Sequence, residues 1–133
     1  MDNGFIIGAE SFERDEKENA LLMKCMKNLL QRFNFNPVLD AIGKGPTDYT
    51  YERVYVVPTL MSLLSVDLEF LQSVCLSLGQ EYWVQIKEGV AYKMTQTLEI
   101  RMGNWCAYRA TNPPTTGEPF TFIPERLVLF HTR

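Results

Sequence analysis

Residues 80–112 read QEYWVQIKEGVAYKMTQTLEIRMGNWCAYRATN, and the polarity of this stretch decides the fold. From Val90 the even positions are Val90, Tyr92, Met94, Gln96, Leu98, Ile100 and Met102. The odd positions are Ala91, Lys93, Thr95, Thr97, Glu99 and Arg101. Successive side chains of a strand point to opposite sides, so this alternation predicts β-structure with one covered face and one wet face. Gln96 is the polar break in the apolar set, and Ala91 is the apolar break in the other.

The same pattern predicts a register. A three-residue loop Lys87-Glu88-Gly89 pairs Ile86 with Val90, Val84 with Tyr92 and Tyr82 with Met94, so apolar meets apolar; a two-residue turn mixes the faces. At the far end, a loop Met102-Gly103-Asn104 pairs Ile100 with Cys106 and Leu98 with Tyr108. It also brings Arg101 to Trp105 and Thr97 to Arg109 on the other side. The result is an antiparallel meander with a polar outer face that carries Trp83, Lys93, Arg101, Trp105 and Arg109.

An apolar sheet face needs a cover, and the upstream sequence supplies it. Asp15, with Glu18 three residues on, is a capping-box pattern, with Ser11 the other candidate cap. The acids at 13, 15, 16 and 18 suit the positive end of a helix. Leu22, Met26, Leu29 and Phe33, widened by Leu21, Cys25 and Leu30, then form a helical stripe. Pro37 stops that helix, and Val38–Ile42 reads as one more turn. A strand follows over Tyr49–Val57, rich in tyrosine and valine. Ser65 or Asp67 caps a second helix with Leu68, Leu71, Cys75 and Leu78 on one face, closed by Gly79 as its C′ residue. Phe5–Ile7 reads as a short strand or an apolar plug, and Phe120–Ile123 and Leu127–His131 as strands. Gly43-Lys44-Gly45-Pro46-Thr47 lacks the upstream glycine of a phosphate loop, and Pro46 removes an N–H that such a loop needs, so it is a turn.

Charge and cysteine content exclude several functions. The chain has 133 residues, 13 basic against 16 acidic, for a net charge of −3. Residues 80–133 carry 6 basic and 5 acidic side chains, too even a balance to hold a phosphate backbone by charge. Cys25, Cys75 and Cys106 are scattered and odd in number, the pattern of free thiols in a reducing compartment. His131 is the single histidine, and no ligand spacing surrounds it, so no metal and no cofactor are expected. A Cys106–His131 nucleophile pair needs the two strands to be neighbours, and core packing is the stronger reading for a thiol. No run reaches the length of a membrane span, and the expected location is cytoplasmic, a host cytoplasm included.

The order helix, short helix, strand, helix and then strands predicts one α+β domain over 1–133. Its sheet is a curved antiparallel one, the 80–112 meander plus the C-terminal strand, packed on one face by two main helices as a roll or cone. The expected function is non-enzymatic protein–protein interaction, as an inhibitor, adaptor or small assembly subunit of the kind that viruses and mobile elements encode. The expected contacts with a protein partner or a second copy are Trp83, Arg101, Trp105, Arg109 and Lys93, with the loop residues Pro113, Pro114 and Glu118 beside them. The alternative is a small-ligand or enzymatic pocket lined by Tyr92 and Tyr108. Nucleic-acid binding through the sheet face is a second alternative that the charge balance disfavours.

Overall fold

The computed structural model describes residues 1–44, 51–114 and 119–133. The turn from residue 45 onward, the first residues of the strand expected from Tyr49, and Glu118 lie outside the described residues. In chain order the elements are β1 (Gly4–Gly8), α1 (Glu16–Arg32), β2 (Leu39–Lys44), β3 (Glu52–Pro58), α2 (Ser65–Ser77), β4 (Trp83–Lys87), β5 (Val90–Met94), β6 (Glu99–Arg109), β7 (Phe120–Ile123) and β8 (Val128–Thr132), with a 3₁₀ turn at Pro124–Arg126.

The sheet is closed. The strands run β1-β3-β2-β7-β8-β6-β5-β4 around a barrel, and the circuit shuts where β4 returns to β1, with Ile6 opposite Val84. This corrects the expected open, curved sheet. Two elements make the difference. Gly4–Gly8 is a strand that pairs with β3 on one side and β4 on the other, not a plug. Residues 39–44 are a strand too, where a helical turn is expected: Leu39, Ala41 and Gly43 are buried and Asp40 is exposed, a period of two.

Closure gives the strands two apolar sides. Inward lie Ile6, Leu39, Ala41, Val54, Val56, Ile123 and Phe130, with Val84, Trp105 and Val128 packed on them. Outward from β1, β3 and β4, Phe5, Ile7, Tyr55, Val57 and Trp83 form a second core with Met23, Met26 and Leu30 of α1 and Leu71, Val74 and Cys75 of α2. The expected pair of helices therefore does cover sheet, on the outside of a barrel. Phe33 stacks on Phe70 at 3.9 Å and ties the end of α1 to α2.

The ends of α1 and the C-terminus of α2 follow the sequence, but the N-cap of α2 is Leu64 and neither Ser65 nor Asp67, with Ser65 the first helical residue and Asp67 two residues further in. Asp15 accepts the Glu18 N–H at 2.8 Å, Asp67 accepts the Leu64 N–H at 2.9 Å, and Gly79 takes the left-handed C′ conformation at φ +69°. The buried stripe of α1 is turned toward Asn19, Met23, Met26 and Leu30, which leaves Leu21, Leu29 and Cys25 exposed.

Both expected hairpin loops are corrected. The β4–β5 turn has two residues, and it pairs Lys87 with Val90, Ile86 with Ala91 and Val84 with Lys93. Glu88 and Gly89 both have positive φ, 50° and 78°, as a type I′ turn requires. The N-terminal segment clasps this turn: Asn3 Oδ1 accepts the Glu88 N–H at 3.0 Å, and the Asp2 carbonyl accepts the Gly89 N–H at 2.8 Å. The next reversal falls at Thr95–Leu98, inside the alternating run. There the Thr95 N–H donates to the Leu98 carbonyl at 2.9 Å, and Thr95 Oγ1 accepts the Leu98 N–H at 3.0 Å. Residues 102–104 are not a loop but part of β6, where Met102 is an extra residue between the Ala91–Gly103 and Tyr92–Arg101 rungs.

Gly103 sits at φ +141°, and a Cβ there would lie 2.5 Å from the Arg133 carbonyl oxygen. The chain end lies along β6 at this point, with Asn104 and Arg133 exchanging two backbone hydrogen bonds of 2.7 and 2.9 Å. At Gly89 an added Cβ meets nothing within 4 Å, so only backbone strain opposes it. Gly103→Ala is expected to lower unfolding free energy by about 3 kcal/mol, against about 1 kcal/mol for Gly89→Ala. Urea denaturation of the two variants checks this, and equal losses would show that the contact with the chain end contributes nothing.

Candidate binding site

Gly8 on β1 and Gly43 on β2 occupy inward positions of the barrel, because their rungs lie opposite Val54 and Glu52 of β3. Neither places a side chain in the interior. An eight-stranded barrel is just wide enough to be filled by its own side chains or to hold one small ligand. At the end marked by these glycines it is not filled. A half-open cavity of about 430 Å³ reaches in from Gly8, Gly43 and Thr121 to a floor of Ile6, Val84, Trp105 and Phe130.

Trp105 is the central element of that floor. Its indole stacks on Phe130 with centroids 4.9 Å apart and planes 11° from parallel. Its Nε1 is shielded from solvent and has no hydrogen-bond partner among the described residues. A buried N–H without an acceptor costs about 1–3 kcal/mol, and because this one is shielded from the cavity as well as from bulk solvent, a ligand oxygen reaches it only if the indole shifts.

The walls carry charge at defined places. Lys93 lies opposite Val84 on β4 and Ile100 on β6, hence on the inward side, with its Nζ 4.7 Å from the centre of the Tyr82 ring. Glu10 at the rim accepts hydrogen bonds from the Arg53 backbone N–H and Nε, and Arg53 Nη2 also lies 2.9 Å from Glu16. The bond to Glu10 raises the Arg53 pKa. Beyond the mouth the β5–β6 hairpin extends as a lip, with Leu98, Ile100 and Met102 exposed at 60%, 43% and 40%.

Closure disperses the residues expected to form a partner surface. Trp83 is 2% exposed beneath α2, with its Nε1 donating to Gln72 Oε1 at 3.2 Å, so it is core and not outer face. Arg101 lies on the outer side with Tyr92, where Lys87 sits 4.8 Å from the Tyr92 ring and 3.2 Å from Glu99. Arg109 is exposed near the other end of β6. Trp105 and Lys93 point inward, and of that set the cavity brings these two together, with Trp83 at its edge. Tyr92 and Tyr108, the expected pocket residues, do not line it. Pro114 anchors its loop by accepting the Tyr51 hydroxyl at 2.9 Å, and Pro113 is half-buried beside it.

Cys106 and His131 do stand opposite each other on β6 and β8, and no hydrogen bond joins them. The thiol points to the Asn104 carbonyl at 3.8 Å, and the imidazole stacks on Tyr108 at 4.6 Å. Cys75 is buried, and loss of hydration pushes its thiol up to about 11. A smaller cleft of about 260 Å³ runs between α1 and the β2–β3 pair, bridged by Lys27 and Asp40 at 3.8 Å. Sequence reasoning singled out Trp105 and Lys93 but missed Phe130, Val84 and the two glycines. Their role depends on which strands meet across the barrel, and no local pattern states that.

Trp83→Phe removes a buried hydrogen bond and core volume, and should cost about 2–3 kcal/mol. Trp105→Phe has no hydrogen bond to lose and should cost under about 1 kcal/mol. Urea denaturation of both variants distinguishes them; a larger loss for Trp105→Phe would show that its N–H is a structural donor. No protein-family model matches this sequence and a search of curated proteins finds no relative, so the geometry of the mouth is what a functional reading rests on.

Proposed function

We propose that the protein is a binding protein that takes a small, largely apolar molecule into the open end of its barrel. One observation carries the reading: the interior is left unfilled at that end, above an aromatic floor whose indole N–H has no partner among the described residues. The cavity has an apolar floor and charged walls, and a concave site that combines apolar surface with placed polar groups is the usual form of a ligand site. Two inward glycines keep the space open, so it is written into the strands themselves. The free thiols at Cys25, Cys75 and Cys106 fit a reducing compartment such as the cytoplasm. No helix among the described residues is long and apolar enough to cross a membrane.

The test uses 1-octanol and the indole N–H resonances of the two tryptophans. The Trp105 resonance is expected to move on titration while that of Trp83, already bonded to Gln72, stays in place. Gly43→Leu, which fills the cavity from a position where a Cβ meets only ordinary contacts, should abolish the shift in a folded protein. An unmoved Trp105 resonance at saturating octanol overturns the reading.

A second reading, contact with a protein partner or a second copy, is favoured by the loop before α2. There, and in the first turn of α2, Leu60, Met61, Leu64 and Val66 are exposed at 100%, 71%, 62% and 56%. For self-association, light scattering should show a dimer that grows with concentration, and Leu60→Asp with Met61→Asp should return it to monomer. A monomer at every concentration excludes the second copy.

A further inference from the structure

The polar groups on the inward walls point to the chemistry of the ligand's head. We infer that the mouth receives an apolar molecule ending in a carboxylate, with that carboxylate paired to Lys93; this rests on the mouth being a ligand site. Lys93 is a half-buried ammonium on the inward face of β5, in register with Val84 and Ile100. One side of it is occupied by the Tyr82 ring at 4.7 Å, and among the described residues no carboxylate lies within ion-pair distance. An ammonium held against apolar side chains is stabilised by an anion far more than by water alone, because the lowered local dielectric strengthens the pairing.

Trp105 on the floor is compatible with the same head group. The Trp105 indole is a donor only, as the lysine ammonium is, so neither disfavours an acceptor on the ligand. Three acids also line the mouth, Glu10, Glu52 and Glu81, with Lys44 as a second cation, and of these acids Glu10 is engaged by the backbone and guanidinium of Arg53. The apolar body of such a ligand has surfaces on either side of Lys93. Inward lie Val84 and the Trp105–Phe130 stack, and outward lie Ile100 and Met102 on the hairpin lip.

Three eight-carbon probes that differ only in the head test this: octanoate, 1-octanol and octyltrimethylammonium, titrated into the full chain at pH 7 and low salt. Calorimetry and the Trp105 indole resonance report binding. Octanoate is expected to bind at least tenfold tighter than octanol, and the ammonium more weakly than either. Lys93→Met should erase the preference for octanoate over octanol, and Lys93→Arg should restore most of it. Equal affinity for octanoate and octanol, or a preference that survives Lys93→Met, overturns the carboxylate inference and leaves the apolar mouth standing. Preference for the ammonium overturns the inference outright. Failure of all three probes to bind overturns the mouth as a ligand site as well.

Discussion

The pairing of Gly4–Gly8 with two strands at once is the constraint on which the rest of the architecture depends. Ile6 faces Val56 on β3 and Val84 on β4, and these rungs join the β2–β3 pair to the β4–β5–β6 meander. Without β1 the sheet has two free edges, each a row of unpaired N–H and C=O groups. With it, the edges vanish and a second, inward core appears. The same five residues also place Phe5 and Ile7 on the outside, where they meet both helices. One short strand therefore links the closing hydrogen bonds, the inward core and the helical cover.

The two cores divide labour. The outer one, between the helices and β1, β3 and β4, is large and aromatic: Phe5 lies edge-on to Phe35 at 4.8 Å and to Trp83 at 6.3 Å. The inner one is built of small branched residues at one end and gives way to open space at the other. Most of the largest fully buried side chains, Trp83, Phe5, Ile7, Met26, Leu30 and Leu71 among them, lie in the outer core, which leaves room for a cavity inside. That division makes a binding mouth compatible with a small chain, since about 25 cal/mol per Å² of buried apolar surface is gained wherever the surface is buried.

Elements governed by neighbours in sequence were legible. The Asp15 cap, Gly79 at C′ with the helix before it, and the strand character of Phe120–Ile123 all depend on a few residues acting locally. The faces of the meander were not. Alternation reports that a strand has two unlike sides, but it does not say which is inward when both are covered. Met94 packs under the helices outside while Lys93 turns inside, against the polarity rule. The turn at Glu88-Gly89 was misread for a related reason. Its geometry puts a non-glycine residue at positive φ, and the bonds to Asn3 and Asp2 that hold it come from the far N-terminus, the one to Asn3 across 85 residues.

By itself the sequence determined that the chain makes two amphipathic helices and a set of antiparallel strands, because capping, period and turn chemistry act within a few residues. It also determined a near-even charge balance, 13 basic against 16 acidic side chains. Only the tertiary structure decided that the strands close, and with closure came every feature of the candidate site. Trp105 left the presumed wet face for the barrel floor, Trp83 went under a helix, and two glycines became the walls of a cavity. The physical reason is that inside and outside are not properties of a strand. They are set by which strand comes back to pair with the first.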